Sequence, residues 1–340
     1  MKTINNFYLY VSESNDPYYN LSLEEHLSKN IFPKNNVPII FLWRNKNTIV
    51  IGKNQVAEFE INLNNAIEDK VKIVKRLSGG GAVFHDLGNF CFSFIVENKK
   101  QAGNYELFLN PIISFLKTYN INAKLSSKND LAVNNVKISG NAQYVWNNVL
   151  VHHGTILFDA YLPAIKKYLT VNPIKIQAKV QRSQITNVDN IINYLETKID
   201  TENFFNKFID YFKLQPGATY KTLDKDDKLI NEIFKEKYGT KEWTFNHPYN
   251  LSKHNAKRFD GGTITLWLNI ENDIIQKILF EGDFLATEDH SKMLDKFINQ
   301  KLEISNIKSI LNEIDLKKYF GKISSDELLE LFFEKKIITT

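Results

Sequence analysis

The stretch NDLAVNNVKISGNAQYVWNNVLVHHGTILFD (129–159) decides the fold, because two asparagine pairs divide it into three apolar runs. The runs are rich in β-branched and aromatic residues, which favour strands. Asn134-Asn135 and Asn147-Asn148 enter the left-handed backbone region more readily than most residues and suit tight turns. The stretch therefore predicts an antiparallel meander.

Helical patterns occur on both sides of this meander. Apolar residues recur at helical spacing over 17–31, with Asn20 as the candidate N-cap. NPIISFLKTY (110–119) predicts a helix opened by Pro111, and the chain turns helical from about residue 161. Together the patterns predict an α+β fold with mixed, mostly antiparallel sheets and flanking helices.

Two further hairpins are predicted before the meander. The first joins VPIIFLW (37–43) to TIVIG (48–52) around the polar turn RNKN. The second joins AVFH (82–85) to FCFSFIVE (90–97) around the turn DLGN. Because both turns carry residues that tolerate unusual backbone angles, each pair of runs is expected to lie side by side in one sheet.

The chain is expected to form two units. GTKEWTFNHPYNLSKHN (239–255) contains Gly, Pro and Asn without clear periodicity, which is typical of a linker. We predict a large first domain over 1–245, a linker over 246–255 and a small α/β second domain over 256–340. The second domain is predicted to contain a hairpin followed by short helical segments.

Composition excludes several classes of protein. The 340 residues are 43% hydrophobic and 24% charged, as in ordinary globular proteins, and no apolar run approaches the ~20 residues of a membrane span. The net charge of +4 is dispersed, so no nucleic-acid partner is expected. A single cysteine, Cys91, excludes internal disulfides and a cysteine-rich metal site. With no secretory signal at its beginning, the chain is expected to be cytoplasmic.

The segment KRLSGGGAVFHDLGN (75–89) places consecutive glycines in a region that otherwise predicts sheet. Bare glycines let a phosphate or substrate chain lie against the backbone, and Arg76 could bind a phosphate through two donors. A tight turn or bulge is the structural alternative. The segment is neither a P-loop nor a dinucleotide fingerprint, because no Gly-Lys-Ser/Thr and no helix follow.

Other candidate groups lie in the meander. Lys137 sits mid-strand next to small residues that leave room for a ligand, although strand lysines are usually solvated. Asp130 is close enough along the chain to hold Mg²⁺ at the same site. His152 and His153 point to opposite faces of a strand, so only one can face a given ligand. Either meander histidine, taken alone, suits a structural role. Outside the meander, His85 follows the glycines directly and is expected near a bound anion.

In this order and spacing, the segments KRLSGGGAVFHDLGN (75–89), NDLAVNNVKISGNAQ (129–143) and HHGTILFD (152–159) resemble the A-type lipoate-protein ligases. NLSLEEHL (20–27), FLWRNKNTIVIGKNQ (41–55) and EWTF (242–245) are also similar to that family, over about residues 5–245. RFDGGTITLWLNI (258–270) and EGDFLA (281–286) resemble the accessory domain of its larger members. The resemblance implies a fold like the biotin and lipoate ligases.

The family likeness implies a reaction in two steps: lipoate and ATP give lipoyl-AMP and pyrophosphate, and the lipoyl group then moves to an acceptor lysine. Lys137 would contact the lipoate carboxylate and the α-phosphate, and Asp130 would bind Mg²⁺. The other positions implied in substrate and nucleotide binding are Trp43, Arg76, Ser78, Gly79, Gly80, Gly81, Ala82, Val83, Phe84, His85 and His153.

The same likeness implies the partners. Lipoate or octanoate would be the acyl substrate, and the acceptors would be E2 subunits of 2-oxoacid dehydrogenases or the glycine cleavage H protein. The chain departs from the family at Lys75 and Tyr144, where arginines are usual, and in a short hairpin before Lys137.

Three other functions are alternatives to this interpretation. A cysteine-dependent octanoyl or lipoyl transferase would need a reactive thiol, whereas Cys91 lies between phenylalanines on a predicted core strand, where a sulfur is usually inert. A non-catalytic module that only captures lipoyl domains could keep the pocket without the chemistry. A biotin ligase is disfavoured, because its arginine-rich glycine loop is absent.

Overall fold

The computed structural model describes residues 6–126, 129–169, 187–223, 227–245 and 251–333. Its strands are β1 (Phe7–Val11), β2 (Ile39–Arg44), β3 (Thr48–Ile51), β4 (Lys72–Lys75), β5 (Val83–His85), β6 (Asn89–Glu97), β7 (Lys124–Leu125), β8 (Asp130–Val133), β9 (Val136–Trp146), β10 (Val149–Leu157), β11 (Ala218–Lys221), β12 (Ser252–Phe259), β13 (Gly262–Glu271) and β14 (Ile274–Gly282).

The α-helices are short apart from two of 13 residues. They are α1 (Pro17–His26), α2 (Phe32–Asn35), α3 (Ala57–Glu60), α4 (Leu63–Glu68), α5 (Tyr105–Lys117), α6 (Pro163–Tyr168), α7 (Thr201–Lys213), α8 (Lys228–Ile233), α9 (Lys241–Phe245), α10 (Ser291–Leu294), α11 (Ile304–Asn312), α12 (Leu316–Phe320) and α13 (Ser325–Phe333).

An eight-stranded sheet forms the centre of the first unit, in the order β11-β1-β2-β6-β10-β9-β8-β7. Its pairings are antiparallel except that β1 runs parallel to β2 and to β11. The predicted meander of β8, β9 and β10 is confirmed, and its turns have positive φ at Asn134, Asn135, Asn147 and Asn148. The predicted α+β class with mostly antiparallel strands is therefore correct.

A second, three-stranded sheet has the order β4-β3-β5, and both hairpins predicted before the meander are wrong. After the turn RNKN the chain leaves the large sheet, so β2 pairs with β1 and β6 whereas β3 pairs with β4 and β5. After DLGN it returns to the large sheet through β6. A local turn signal fixes a chain reversal but not the sheet that the next strand joins. The two crossings create the space between the sheets in which the candidate site lies.

The predicted starts of two helices also need correction. The N-cap of α1 is Asp16, whose carboxylate accepts from the Tyr18 amide at 2.9 Å, whereas Asn20 lies buried inside the helix. The helix α5 begins earlier than predicted, capped by Asn104, and Pro111 lies in its interior. Asn20 and Pro111 are residue types that are common at helix starts, and each was predicted to open its helix. In both cases a capping residue, Asp16 or Asn104, lies earlier in the chain.

The apolar core divides into clusters on the two units. The largest packs the eight-stranded sheet against α5 and α7 and is rich in phenylalanine, including Phe92, Phe108 and Phe204. A separate cluster forms within 259–332, where β12, β13 and β14 pack against the last helices. No helix among the described residues is long and apolar enough to cross a membrane.

The predicted boundary between the units remains a prediction. Residues 246–250 of the predicted linker lie outside the described residues, and 252–255 belong to β12. The hairpin of β13 and β14 forms as expected, with a turn at Asn272 and Asp273 in the left-handed region.

Candidate functional site

An open cavity lies between the two sheets of the first unit. The lining residues come from both sheets, α1 and the accessory unit: Leu21, Trp43, Asn45, Val50, Arg76, Gly80, Gly81, Val83, His85, Cys91, Asn129, Lys137, Gly140, Asn141, Ala142, His153, Gly154, Thr155 and Leu285.

The three consecutive glycines meet different requirements. A Cβ at Gly79 would lie 2.5 Å from the Phe284 carbonyl oxygen, so the accessory unit approaches too closely for a side chain. Gly80 has φ of +91°, a conformation that costs most other residues free energy. At Gly81 an added Cβ would meet nothing within 4 Å, so this main chain is open. The run is thus both a tight turn and an exposed stretch of backbone at the cavity.

The buried Arg76 guanidinium holds this glycine loop from beneath. Its Nη2 donates to the carbonyls of Gly79 at 2.7 Å and Gly81 at 2.9 Å, and its Nη1 donates to the Val50 carbonyl at 3.2 Å. Nε donates to Ser78 Oγ at 3.0 Å. Burial lowers the pKa of Arg76 to about 10, and the Glu24 carboxylate opposes that shift. The side chain stays charged at neutral pH and shapes the loop.

A chain of hydrogen bonds ties the loop to the large sheet. Ser78 Oγ lies 2.6 Å from His153 Nε2, and His153 Nδ1 lies 2.9 Å from Glu24 Oε1. Ser93 donates to the same carboxylate oxygen. Ser78 is fully buried and Glu24 is 1% exposed. Although the order Ser, His, Glu is that of a hydrolase triad, Ser78 is absent from the cavity lining, so its hydroxyl supports the loop.

Lys137, which lines the cavity, forms an ion pair with Asp130. Lys137 Nζ lies 2.9 Å from Asp130 Oδ1, and the two side chains are 36% and 22% exposed. The ammonium folds over Gly140, where an added Cβ would lie 3.1 Å from Nζ. Main-chain bonds to Asn187 and Asp189 hold the Lys137 backbone. The small residue thus provides the space that the ammonium fills, at a cavity that the glycine loop also lines.

The two histidines of the meander face opposite sides of β10. His153 lines the cavity, whereas His152 packs in the phenylalanine core, where its ring centroid lies 4.9 Å from that of Phe108. Gln143 Nε2 lies 3.0 Å from His152 Nδ1. Burial lowers the pKa of His152 well below its usual value, so it stays neutral.

The remaining lining is mostly apolar. Trp43 stacks on Phe41 with ring centroids 4.5 Å apart, and Leu21, Val50 and Val83 complete this part of the wall. The cavity can therefore hold a hydrocarbon chain next to its cationic end. Cys91 also lines it, but burial raises the pKa of its thiol far above the usual range, which keeps it protonated.

Comparison with known proteins decides the family. The lipoyl protein ligase A/B catalytic domain model matches residues 16–213, and the bacterial lipoate protein ligase C-terminus model matches 249–332. A probable lipoate-protein ligase A of Mycoplasma genitalium is 36% identical over 326 residues, covering 94% of this chain and 97% of that protein. The chain belongs to the lipoate-protein ligase family.

Two further relatives agree over nearly the whole chain. The lipoate-protein ligase LplJ of Bacillus subtilis is 34% identical over 324 residues, covering 94% of this chain and 97% of its own. The crystal structure of Plasmodium falciparum LipL1 in complex with lipoate is 27% identical, with a TM-score of 0.76, and covers 97% of this chain and all of that one. The resemblance seen in the sequence motifs is thus confirmed.

Not every residue that the ligase likeness implied lies on the cavity wall. Ser78 is buried beneath the loop, and Gly79 faces a second crevice, next to the accessory unit. Ala82 and Phe84 pack into an apolar cluster, where Phe84 stacks on Tyr168 at 5.2 Å. Asp130 reaches the site through its ion pair with Lys137. The positions stated from the family motif thus include both wall and supporting residues.

Several wall residues were not foreseen from the ligase motifs. Asn45 belongs to a turn that was interpreted only as a hairpin connection, and Thr155 belongs to a strand singled out only for its histidines. Behind the wall, Glu24 is the buried partner of His153. This contact gives no sequence signal, because the two residues lie 129 positions apart in the chain.

The accessory unit of this ligase contacts the glycine loop directly. The Gly80 amide donates to the Phe284 carbonyl at 3.3 Å, and the Gly282 amide donates to the Asn54 carbonyl at 2.6 Å. Lys53 Nζ lies 2.5 Å from Asp289 Oδ2, and Leu285 lines the cavity itself.

The two positions at which the chain departs from the family lie toward this same unit. Burial lowers the pKa of Lys75, and the neighbouring carboxylates of Glu281 and Glu58 oppose the shift. Tyr144 lines the second crevice, and its hydroxyl lies 3.4 Å from Ser28 Oγ. Both side chains therefore belong to the region between the units, outside the main cavity.

Proposed function

We propose that this ligase activates lipoate with ATP to form lipoyl-AMP and then transfers the lipoyl group to a lysine of an acceptor protein. One observation carries the proposal: the Lys137 ammonium and the open main chain of Gly81 line one cavity, whose remaining wall is largely apolar. An acyl chain with a carboxylate end and a phosphate fit such a cavity together.

In the first step a carboxylate oxygen of lipoate attacks the α-phosphorus of ATP, and pyrophosphate leaves. Two like charges about 4 Å apart repel by roughly 4 kcal/mol at the effective dielectric of protein sites. That repulsion corresponds to about a thousandfold in rate. The Lys137 ammonium, placed between the two anions, offsets it and stabilises the charge that develops on the phosphoryl oxygens.

The glycine loop positions the phosphate. Arg76 contributes by fixing the carbonyls of Gly79 and Gly81, and its positive charge lies directly under the loop. The open side of Gly81 lets the adenylate rest against main chain. Arg76 therefore acts mainly as a positioning residue, with its electrostatic field favouring a bound anion.

Asp130 suits a magnesium ion that is held partly by substrate. Among the described residues no group of three His, Cys, Asp or Glu side chains is arranged to hold a metal. Mg²⁺ commonly binds through one or two carboxylates together with substrate phosphates and water, so one partly buried carboxylate paired with the cavity-lining Lys137 fits that mode. When bound, the ion would neutralise phosphate charge, and Asp130 would be its protein ligand.

In the second step the acceptor amine attacks the carbonyl carbon of the mixed anhydride, an amide forms and AMP leaves. No enzyme nucleophile is needed, because the anhydride is already activated and the protein has only to hold the partners and exclude water. We take E2 subunits and glycine cleavage H protein as acceptors, lipoate or octanoate as the acyl group, and the cytoplasm as the location. The buried, protonated Cys91 thiol argues against a thioester route.

The decisive experiment is lipoate-dependent ATP–pyrophosphate exchange with Lys137→Met. We expect the exchange rate to fall by at least ~100-fold, in line with losing one preorganised charge. Lys124→Met, on the exposed strand β7 of the same sheet, is the matched control and should exchange normally. Near-normal exchange in Lys137→Met would refute the assignment. Loss of activity in Cys91→Ser, with ATP dispensable, would favour the transferase instead.

A further inference from the structure

His85 presents two different ring nitrogens to its surroundings. The side chain is 5% exposed and lines the cavity. Nδ1 lies 3.2 Å from Asn45 Nδ2 and 3.6 Å from Cys91 Sγ. Nε2 is buried and has no hydrogen-bond partner among the described residues. Because this unpartnered atom belongs to a residue that lines the cavity, a ligand or water can complete it.

A chain of amides fixes which His85 nitrogen carries the proton. Asn20 Nδ2 lies 3.0 Å from both the Ser14 and the Arg44 carbonyl oxygens, which can only accept, so this atom must be the amide nitrogen. The same nitrogen lies 2.9 Å from Asn45 Oδ1. Asn45 therefore directs its oxygen towards Asn20 and its own N–H towards His85.

It follows that His85 Nδ1 accepts a hydrogen bond and that the ring proton is on Nε2. The Cys91 thiol, kept protonated by burial, is a second donor group beside Nδ1. Burial, together with the electrostatic influence of Arg76 and of the His153 ring, lowers the pKa of His85 to about 3. The ring is therefore neutral at physiological pH, and it cannot serve as the base that deprotonates an acceptor amine.

We propose that His85 donates its Nε2–H to an oxygen of the acyl carboxyl group, and that Asn45 and Asn20 are positioning residues that keep the proton on this nitrogen. The inference rests on the proposed function. The oxygen that is not joined to phosphorus is part of a carboxylate, then a carbonyl, then the oxyanion formed when the amine attacks. A preorganised neutral donor serves all three states without transferring a proton.

The location of His85 favours the acyl group over the phosphate. Cys91 Sγ lies 3.6 Å from His85 Nδ1, and Val83, two residues earlier on β5, lines the same cavity, so apolar groups that suit the carbon chain accompany the ring. The glycine main chain and Lys137 are the groups expected to bind the phosphate. We therefore assign the His85 donor to the carboxyl end of the chain.

The first test measures the proton position itself. ¹⁵N chemical shifts of the His85 ring in the full-length protein should show a neutral ring protonated on Nε2. In Asn45→Asp, a carboxylate oxygen faces Nδ1, so the proton should move to Nδ1 or the ring should become doubly protonated. A wild-type ring protonated on Nδ1 would overturn the proposal. This measurement needs no activity, so it stands even if the proposed ligase function fails.

The second test measures the consequence for the reaction. His85→Phe should lower kcat for lipoyl-AMP formation by about 100-fold, as for loss of one oxyanion donor, with a smaller change in KM for ATP. His85→Gln, which can place an amide N–H near the same point, should recover a large part of that loss. The resonance of lipoate ¹³C-labelled at its carboxyl carbon, bound without ATP, should shift between wild type and His85→Phe.

The core pair of Gln143 and His152 provides a matched control. Gln143 Oε1 accepts from the Gly103 amide at 2.7 Å, so its nitrogen donates to His152 in the same manner, but on the core side of the sheet. Gln143→Glu should alter stability while leaving kcat within about threefold. The proposal fails if His85→Phe retains wild-type kcat. It also fails if the labelled carboxyl resonance is insensitive to that variant and only KM for ATP rises, since the donor would then serve the phosphate.

Discussion

The two cations at the cavity have opposite surroundings. Arg76 is buried and donates to three main-chain carbonyls and one hydroxyl, so its geometry is fully determined by the protein. Lys137 is 36% exposed, and its ion pair is with Asp130. A cation whose donors are satisfied internally shapes the site, whereas a cation with one exchangeable partner can turn to a substrate. From the sequence alone, Arg76 and Lys137 would be interpreted as two equivalent positive charges.

The unfolding free energies of single variants at Arg76 and Lys137 give the strongest test of the difference between the two cations. Arg76→Met leaves several buried carbonyls without donors and should lower the free energy of unfolding by about 3 kcal/mol or more. Lys137→Met removes only a partly exposed ion pair and should change it by less than ~1 kcal/mol. Urea unfolding of both variants, followed by tryptophan fluorescence, measures the contrast. Equal losses would show that Lys137 is also a structural residue.

A second test measures how the free energy of unfolding depends on pH because of the buried His85 ring. The folded-state pKa of His85 is about 3, below its ordinary value of 6.5, because burial disfavours the charged ring. The unfolded chain therefore binds an extra proton between these values, and stability is lost as pH falls below 6.5. At pH 5 this loss amounts to roughly 2 kcal/mol.

His85→Gln removes that titration while keeping a polar side chain. The difference in unfolding free energy between wild type and variant should therefore move by about 2 kcal/mol in favour of the variant from pH 7.5 to pH 5. Parallel pH profiles for the two proteins would mean that the ring is accessible enough to protonate in the folded state.

The sequence predicts the Lys137 side of the site better than the Arg76 side. The meander, its asparagine turns and the space above Gly140 all follow from neighbours along one continuous segment. The buried side is assembled from α1, both sheets and the glycine loop, so its contacts join residues such as Glu24 and His153 that are far apart in the chain. Local patterns cannot show that β2 and β3 separate into different sheets, which is the step that opens the cavity.

A substitution of Asp130 is expected to give the smallest change in stability, which would distinguish this residue from structural residues such as Arg76. Asp130→Asn keeps the shape of the side chain but removes the charge that faces Lys137 at 2.9 Å. Because the pair is partly exposed, the free energy of unfolding should change by less than ~1 kcal/mol. If Asp130 holds Mg²⁺ with the nucleotide phosphates, the Mg²⁺ concentration needed for half-maximal pyrophosphate exchange should rise by about 10-fold or more. An unchanged Mg²⁺ titration would leave Asp130 as a partner of Lys137 alone, and the resting ion pair would then be its whole contribution to the site.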